Sequence, residues 1–295
     1  MSELVVVSDE VRTALEGGGP VVALETTLVA HGFPAPVGVE VGVESDEAVR
    51  AAGAVPATVG VLDGRVRVGL APEELERFTP DARKLGPRDL AACAVRGQVG
   101  ATTVGGTLAV ARHLGIRFLG TGGTGGVHRG FPSPPDVSAD IPVLAATTAV
   151  AVSSGVKSLL DVPATMELLE TLGVPVIGFG TATLPLFYAA EGGPALADVV
   201  ATPAEAARLA AGHWELGGAG LLLANPPPES LDVEGLIAEA LADAEREGVA
   251  GQAVTPFVLG RLHERSGGRT RDVNRKLIVA NARLAGEVAV AYAAL

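Results

Sequence analysis

Residues 116–130 read Ile-Arg-Phe-Leu-Gly-Thr-Gly-Gly-Thr-Gly-Gly-Val-His-Arg-Gly, an apolar run that leads directly into a glycine-rich loop. The run Ile116–Leu119 is typical of a buried strand. Five of the ten residues in Thr121–Gly130 are glycines, whose bare backbone amides can close around an anion beside Arg129. A plain set of turns is the alternative interpretation of the glycines alone.

An acidic segment, Asp136–Asp140, follows the loop and begins seven residues after Arg129. Carboxylate oxygens are the ligands that hard divalent cations prefer, and carboxylates also move protons. Together with His128, the two aspartates indicate a catalytic centre with a metal ion or a proton shuttle beside the bound anion.

Elsewhere the chain alternates short apolar runs, such as Val21–Leu24 and Gly220–Ala224, with segments of helical periodicity. This alternation predicts an α/β fold, specifically a single-domain α/β/α layered fold with a mainly parallel sheet. Residues 1–295 contain no internal repeat and no convincing linker, so we expect one domain.

Two local patterns make sharper predictions. Val5–Leu15 is expected to form the first helix, with Ser8 as its N-cap. Asp63-Gly64 separates two apolar runs and predicts a hairpin with a type I′ turn.

Glu25 directly follows the first core strand, at the end of a parallel strand where open α/β sheets place their sites. The alternative is that Glu25 only caps a turn.

Only three of the 22 basic residues are lysines, namely Lys84, Lys157 and Lys276. Arginine cannot replace an amine that attacks a carbonyl, because the guanidinium keeps its proton. The lysines are therefore candidates for amine chemistry. The competing explanation is that these three lysines have been retained by chance.

Composition excludes several classes of function. The net charge of −12 and the pI near 4.9 argue against a nucleic-acid polymer as partner. Cys93 is the only cysteine and lies in an apolar helical segment, which favours a reducing compartment and an inert thiol. The sequence shows neither a signal peptide nor a membrane span, so we expect a cytoplasmic location.

With these residues in hand, the sequence resembles the pseudouridine-5′-phosphate glycosidases, a family that includes indigoidine-synthase-A-like proteins. The matching segments run through nearly the whole chain. The most specific are Glu25–Pro34, Gly53–Thr58, Thr121–Asp140, Lys157–Asp161 and Asn225–Pro228. The resemblance implies reversible cleavage of the C–C glycosidic bond of pseudouridine 5′-phosphate to uracil and ribose 5-phosphate. It also implies a divalent metal, most commonly Mn²⁺, and a homotrimer.

The resemblance assigns roles to individual positions. Lys157 falls on the covalent lysine and Glu25 on the acid/base carboxylate, while Asp136 falls on the metal position. Residues expected to contact the substrate are Lys84, the backbone at Val104, Thr121, His128, Ser138, Ala139, Asp140 and, near the uracil, Asn281.

The implied chemistry suits these residue types. A C–C bond offers no leaving oxygen to protonate, so capture of C1′ of the opened sugar as a Lys157 imine divides a difficult step into easier ones. Two alternatives stay open: the same chemistry on another phosphorylated C-glycoside of pigment or antibiotic metabolism, and a non-catalytic sugar-phosphate sensor. Gly86, Pro87 and Ala280 depart from the family pattern and leave the fine substrate preference open.

Overall fold

The apolar run before the glycine loop forms a central strand of a large mixed sheet in the computed structural model, which describes residues 4–132, 135–249 and 253–295. The strands are β1 Val5–Val7, β2 Val21–Glu25, β3 Val55–Leu62, β4 Arg65–Val68, β5 Arg83–Leu85, β6 Gly100–Thr102, β7 Phe118–Gly120, β8 Val127–His128, β9 Val150–Ser153, β10 Leu160–Asp161, β11 Val176–Phe179, β12 Asp198–Val200 and β13 Leu221–Ala224.

The main run of the sheet has the order β3-β2-β7-β9-β13-β11-β12, and each neighbouring pair in it is parallel. Antiparallel strands β4 and β6 extend β3 and are joined in turn by β1 and β5. A separate two-stranded sheet pairs β8 with β10.

Helices cover both faces of the sheet. They are α1 Asp9–Glu16, α2 Val37–Ala51, α3 Pro72–Leu75, α4 Leu90–Val95, α5 Val104–Leu114, α6 Asp140–Ala145, α7 Val162–Thr171, α8 Pro203–Glu215, α9 Glu234–Arg246, α10 Val254–Arg265 and α11 Arg269–Ala293. A π-helical turn spans Leu28–Gly32 and a 3₁₀ turn spans Pro87–Asp89. Across the described ranges, every helix is too short or too polar to cross a membrane.

The strand β2 shows how the layers are built. All five of its residues are buried, and its side chains alternate between the two faces. Val21 and Ala23 pack in a cluster with Leu108 of α5, whereas Val22 and Leu24 pack in another with Val288 of α11. Burial on both faces explains why the strand is continuously apolar up to Glu25. The predicted α/β/α layered fold with a mainly parallel sheet is confirmed.

The order of the strands reverses between β2 and β7. From β2 the chain continues to β3 on one side, and it returns to β7 on the other side before moving outward to β9. Open α/β sheets bind ligands at such a switch point, beyond the carboxyl ends of the strands. Glu25 ends β2, and Thr121 follows the last residue of β7.

The prediction of a helix over Val5–Leu15 is wrong at its start. Val5–Val7 instead forms β1, because three β-branched residues pair with the free edge of β4. Ser8 caps α1 as expected, accepting a hydrogen bond from the amide of Val11. The hairpin prediction is confirmed: β3 and β4 are antiparallel, and Asp63 and Gly64 have φ of 51° and 73°.

Candidate active site

A cavity of about 290 Å³ opens at the switch point. It brings together Glu25, Lys84 and Lys157, three of the residues selected from the sequence. The other lining residues are Thr27, Leu28, His31, Gly32, Thr121, Gly122, Gly123, Phe187, Ala253, Pro256, Leu259, Asn274 and Ile278. The cavity thus combines a cluster of charged groups with an apolar wall, as small-molecule sites do.

A wider groove of about 1180 Å³ runs past Arg129, Tyr188 and Glu234. None of the three site residues named above lines it. We therefore assign the active site to the smaller cavity, where the ionisable groups converge.

Glu25 is the buried acid of this cavity. Its side chain extends from the last residue of β2, and the residue is 6% exposed. Burial raises the pKa of the Glu25 carboxyl, while the charge of Lys157 and a hydrogen bond from Thr121 act in the opposite direction. The Thr121 hydroxyl donates to Glu25 Oε1 over 2.5 Å. A carboxyl group whose pKa is raised in this way can hold a proton and deliver it to a substrate.

Lys84 enters the cavity from β5, the outer strand beside β6. Burial lowers the pKa of its amine, and the neighbouring charge of Lys157 lowers it further. The charges of Asp140 and Glu25 oppose that shift. Two amines and one buried carboxyl therefore influence one another across the cavity.

Lys157 is held in place by the glycine loop. The loop runs beside the segment that follows β9, and backbone hydrogen bonds join Ser154 N to Gly122 O, Thr124 N to Gly155 O and Lys157 N to Thr124 O. Gly155 has φ of +79°, and a Cβ there would lie 2.0 Å from the carbonyl oxygen of Pro185. Only glycine fits this turn without distortion, so the turn fixes where Lys157 leaves the backbone.

Three amides of the glycine loop and the guanidinium of Arg129 are not available for the predicted anion nest. The loop amides of Thr124, Gly125 and Val127 donate to Gly155 O, Asp140 Oδ2 and Thr165 Oγ1 respectively. Arg129 turns away and donates to the carbonyl oxygen of Ser158 over 3.0 Å. Because these donors already have protein acceptors, the part of the loop from Thr124 to Arg129 acts as a scaffold.

Asp140 ties that scaffold to the start of α5. Its carboxylate accepts from Gly105 N at 2.7 Å and from Gly125 N at 2.9 Å. Val104 is the first residue of α5, after the N-cap Thr103, so its amide lies among the free donors of a helix N-terminus.

The segment before Asp140 is anchored in the same way. Ser138 N donates to Gly126 O at 2.9 Å, Ser138 Oγ accepts from Asp140 N, and Ala139 precedes α6. Substrate contacts by Val104 and by Ser138, Ala139 and Asp140 stay predictions.

Asp136 lies next to His128 at the outer side of the loop. His128 Nδ1 is 3.8 Å from Asp136 Oδ2, and the Asp136 side chain is 40% exposed. Burial lowers the pKa of His128, against the effect of the Asp136 charge. Among the residues that the structure describes, no group of three or more metal-binding side chains occurs. This donor set fits a cation that keeps most of its water ligands, as Mg²⁺ and similar hard ions do.

Asn281 takes an internal position. It is fully buried in α11, and its Nδ2 lies within hydrogen-bond distance of Thr121 O, Gly122 O and Ser154 Oγ. Its Oδ1 accepts from Asn225 Nδ2 at 2.9 Å. Asn281 is absent from the cavity lining, so the structure shows it holding the glycine loop against β9 and β13.

Asn274 was not selected from the sequence as a site residue, yet it lines the cavity. It lies two helical turns before Asn281 and is 3% exposed. Its Oδ1 is buried and has no hydrogen-bond partner within the described part of the chain. The spacing of seven residues places both asparagines on one helix face, and this is the sequence feature that could have identified Asn274.

Phe187 was missed as well. It has φ of +62° and is 4% exposed, and its ring packs against Gly123, where a Cβ would lie 2.5 Å from Cδ2. A bulky residue in the left-handed region is rare, and such conformations cluster at functional sites.

The fold and these groups define the class: an α/β protein with a lysine–carboxylate site suited to covalent chemistry on a carbonyl carbon. The family described as Indigoidine synthase A like protein matches residues 10–291. The chain belongs to that family.

Relatives with assigned activities are similar over nearly their whole length. A protein of Deinococcus radiodurans named pseudouridine-5′-phosphate glycosidase is 47% identical, with 97% of this chain and 94% of the relative covered. The protein of the same name from Nocardioides sp. is 45% identical, with 99% and 98% covered.

Solved structures share the fold. The crystal structure of the prealnumycin C-glycosynthase AlnA in complex with ribulose 5-phosphate aligns with a TM-score of 0.90 and 40% identity, covering 100% of this chain and 98% of that chain. An indigoidine synthase A-like protein from Thermotoga maritima aligns with a TM-score of 0.88 and 37% identity, covering 98% and 97%.

Proposed function

We propose that this protein is a pseudouridine-5′-phosphate glycosidase, which reversibly converts pseudouridine 5′-phosphate and water into uracil and ribose 5-phosphate. The observation that carries the proposal is the shared cavity of Glu25 and Lys157, with Glu25 held by Thr121. Relatives of 45–47% identity bear the name of this activity.

The first step opens the sugar ring. The C1′–O4′ bond breaks, its electron pair leaves with O4′, and the uracil ring loses its N1 proton as C1′ becomes doubly bonded to C5. We assign delivery of the proton on O4′ to Glu25, because burial raises the pKa of that carboxyl and so keeps a proton available.

Lys157 then captures the opened sugar. Its amine adds to C1′ and loses a proton, while the displaced electron pair returns to the uracil ring and C5 takes up a proton. The C1′–C5 bond breaks with its electron pair staying in the ring, N1 regains its proton, and the nitrogen lone pair forms the C1′=N imine. Water hydrolyses the imine and frees ribose 5-phosphate and the amine.

Other residues orient the substrate. Lys84 supplies a positive charge in the cavity, and the amide of Val104 at the start of α5 suits a phosphate oxygen. We assign the contact with uracil to Asn274 rather than to Asn281. The amide of Asn281 is already engaged, whereas Asn274 Oδ1 has no partner among the described residues.

We propose a divalent cation, Mn²⁺, at Asp136 with His128 beside it. Such an ion would neutralise negative charge near the substrate when bound. We further propose a cytoplasmic homotrimer in which residues 1–295 act as one domain, and light scattering on the purified protein tests the oligomeric state.

Similarity to the prealnumycin C-glycosynthase favours one alternative, the same chemistry on another phosphorylated C-glycoside. A sensor without catalysis is less well supported, because binding alone does not require a nucleophilic amine beside a buried acid.

Uracil release from pseudouridine 5′-phosphate, followed by chromatography with and without added Mn²⁺, tests the proposal. We expect equimolar uracil and ribose 5-phosphate from the wild-type protein and none from Lys157→Ala. Lys276→Ala is the matched control, because Lys276 is exposed and paired with Glu229. Absence of uracil from the wild type with Mn²⁺ present would refute the proposed function.

A further inference from the structure

The π-helical turn Leu28–Gly32 follows the catalytic strand β2 after only two residues. Short π-helical segments occur frequently at functional sites. Three residues of this turn, Leu28, His31 and Gly32, line the cavity that holds Glu25 and Lys157. The mechanism above uses none of them.

The hydrogen bond of His31 fixes which ring nitrogen can accept. His31 Nε2 lies 3.0 Å from the carbonyl oxygen of Ala82. A carbonyl oxygen only accepts, so Nε2 carries the proton. Burial lowers the pKa of His31, and the charge of Lys84 lowers it too; the backbone carbonyls of Ala82 and Pro80 act in the opposite direction but do not reverse the shift, so the neutral ring is favoured. Nδ1 is then an unprotonated acceptor.

His31 Nδ1 is buried and lacks a hydrogen-bond partner in the part of the chain that the structure describes. A buried acceptor without a donor costs free energy, and native proteins seldom leave one. A ligand in the cavity that carries an N–H group would satisfy it.

Uracil supplies such donors. Its attachment through C5 leaves both ring N–H groups free, and the apolar wall formed by Leu28, Leu259 and Ile278 suits a flat base. The sugar must lie near Lys157 for the imine to form. We propose that His31 Nδ1 accepts a hydrogen bond from a ring N–H of uracil and so determines specificity for the base.

This inference rests on the proposed function and is tested in the synthetic direction, from uracil and ribose 5-phosphate. His31→Gln keeps a donor at the position of Nε2 but removes the acceptor at Nδ1. His31→Asn keeps an acceptor near Nδ1 but cannot reach Ala82. We expect His31→Gln to raise the KM for uracil roughly fivefold to tenfold, the effect of one lost hydrogen bond. His31→Asn should be affected less.

Methylated bases give a readout that a merely structural role would not produce. Both methylated bases are measured as competitive inhibitors against uracil, because the mechanism uses the N1 proton and 1-methyluracil therefore cannot react. Wild-type protein should bind either 1-methyluracil or 3-methyluracil more weakly, whichever lacks the N–H that His31 contacts. His31→Gln should lose that discrimination and keep the response to the other isomer. The KM for ribose 5-phosphate and the yield of its borohydride-trapped adduct should stay unchanged.

Three results would overturn the role of His31. These are an unchanged KM for uracil in His31→Gln, a raised KM for ribose 5-phosphate instead, or a wild-type protein that both methylated bases inhibit with equal affinity. The wild-type measurement needs no variant to fold. A wild type inactive with uracil itself would instead refute the proposed function.

Discussion

Replacing Thr121 with valine removes the hydroxyl that donates to Glu25 and keeps a side chain of similar size. Both residues are buried, at 1% and 6% exposure, so water cannot readily take the place of the hydroxyl. The hydroxyl favours the ionised carboxylate, and its loss therefore raises the pKa of Glu25 further above its usual range.

The size of the effect follows from the geometry. A buried hydrogen bond to a charged group contributes about 1.5–3 kcal/mol, which corresponds to roughly 10- to 150-fold in rate. Delivery of the proton leaves Glu25 as a carboxylate, which Thr121→Val deprives of this hydrogen bond, so we expect kcat/KM for pseudouridine 5′-phosphate to fall by about this factor at neutral pH. The limb of the pH–rate profile that reports Glu25 should move to higher pH.

Thr124→Val is the matched control. Thr124 is another buried threonine of the same loop, but its hydroxyl faces Gly155 O at 3.4 Å rather than Glu25. It should change kcat/KM much less and leave the pH profile in place. A wild-type pH profile in Thr121→Val would refute the argument that Thr121 tunes Glu25.

Three further predictions concern stability and metal binding. Glu25→Gln should be inactive, but above pH 5 its free energy of unfolding, measured by denaturant titration, should exceed that of the wild type by about 0.5–2 kcal/mol. The sign follows from the raised pKa of Glu25: stability that the wild type has below the unfolded pKa is lost as pH rises through the folded pKa. An equal gain in stability of the variant at pH 4 and pH 7.5 would contradict this reasoning. Gly155→Ala should lose roughly 2–4 kcal/mol of stability. Gly180 also has a positive φ of +64°, but it has open space around it. Gly180→Ala should therefore lose only about 1 kcal/mol, and equal losses of the two variants in urea unfolding would contradict the steric argument. Asp136→Asn should weaken Mn²⁺ binding in calorimetry by roughly tenfold or more without changing the melting temperature, and unaltered affinity would exclude Asp136 as a ligand.

The layered architecture could be predicted because its signals are local. Apolar runs such as Val21–Leu24 are buried on both faces, and their lengths suit strands. Glu25 could be predicted as a site residue because it is a carboxylate at the end of such a run. The exception is Val5–Val7, which directly precedes the helix cap Ser8. Its pairing with β4 joins residues 61 positions apart, and no local pattern reveals such a contact.

The lining of the cavity was harder to predict, because it depends on tertiary contacts. Asn274 and Asn281 share a face of α11, and only the packing of that helix shows which amide is engaged by the loop. His31 reaches the cavity through a π-helical turn, and Phe187 through a left-handed backbone conformation. Neither conformation has a sequence signature in a chain read alone.

Covalent catalysis by Lys157 is tested by trapping the imine. Wild-type protein is incubated with ribose 5-phosphate, reduced with borohydride and measured by intact-mass spectrometry, followed by peptide mapping. We predict one reduced pentose phosphate per chain, located on Lys157 and absent from Lys157→Ala, with Lys84 and Lys276 unmodified. No adduct in the wild type, or an adduct that persists in Lys157→Ala, would contradict it.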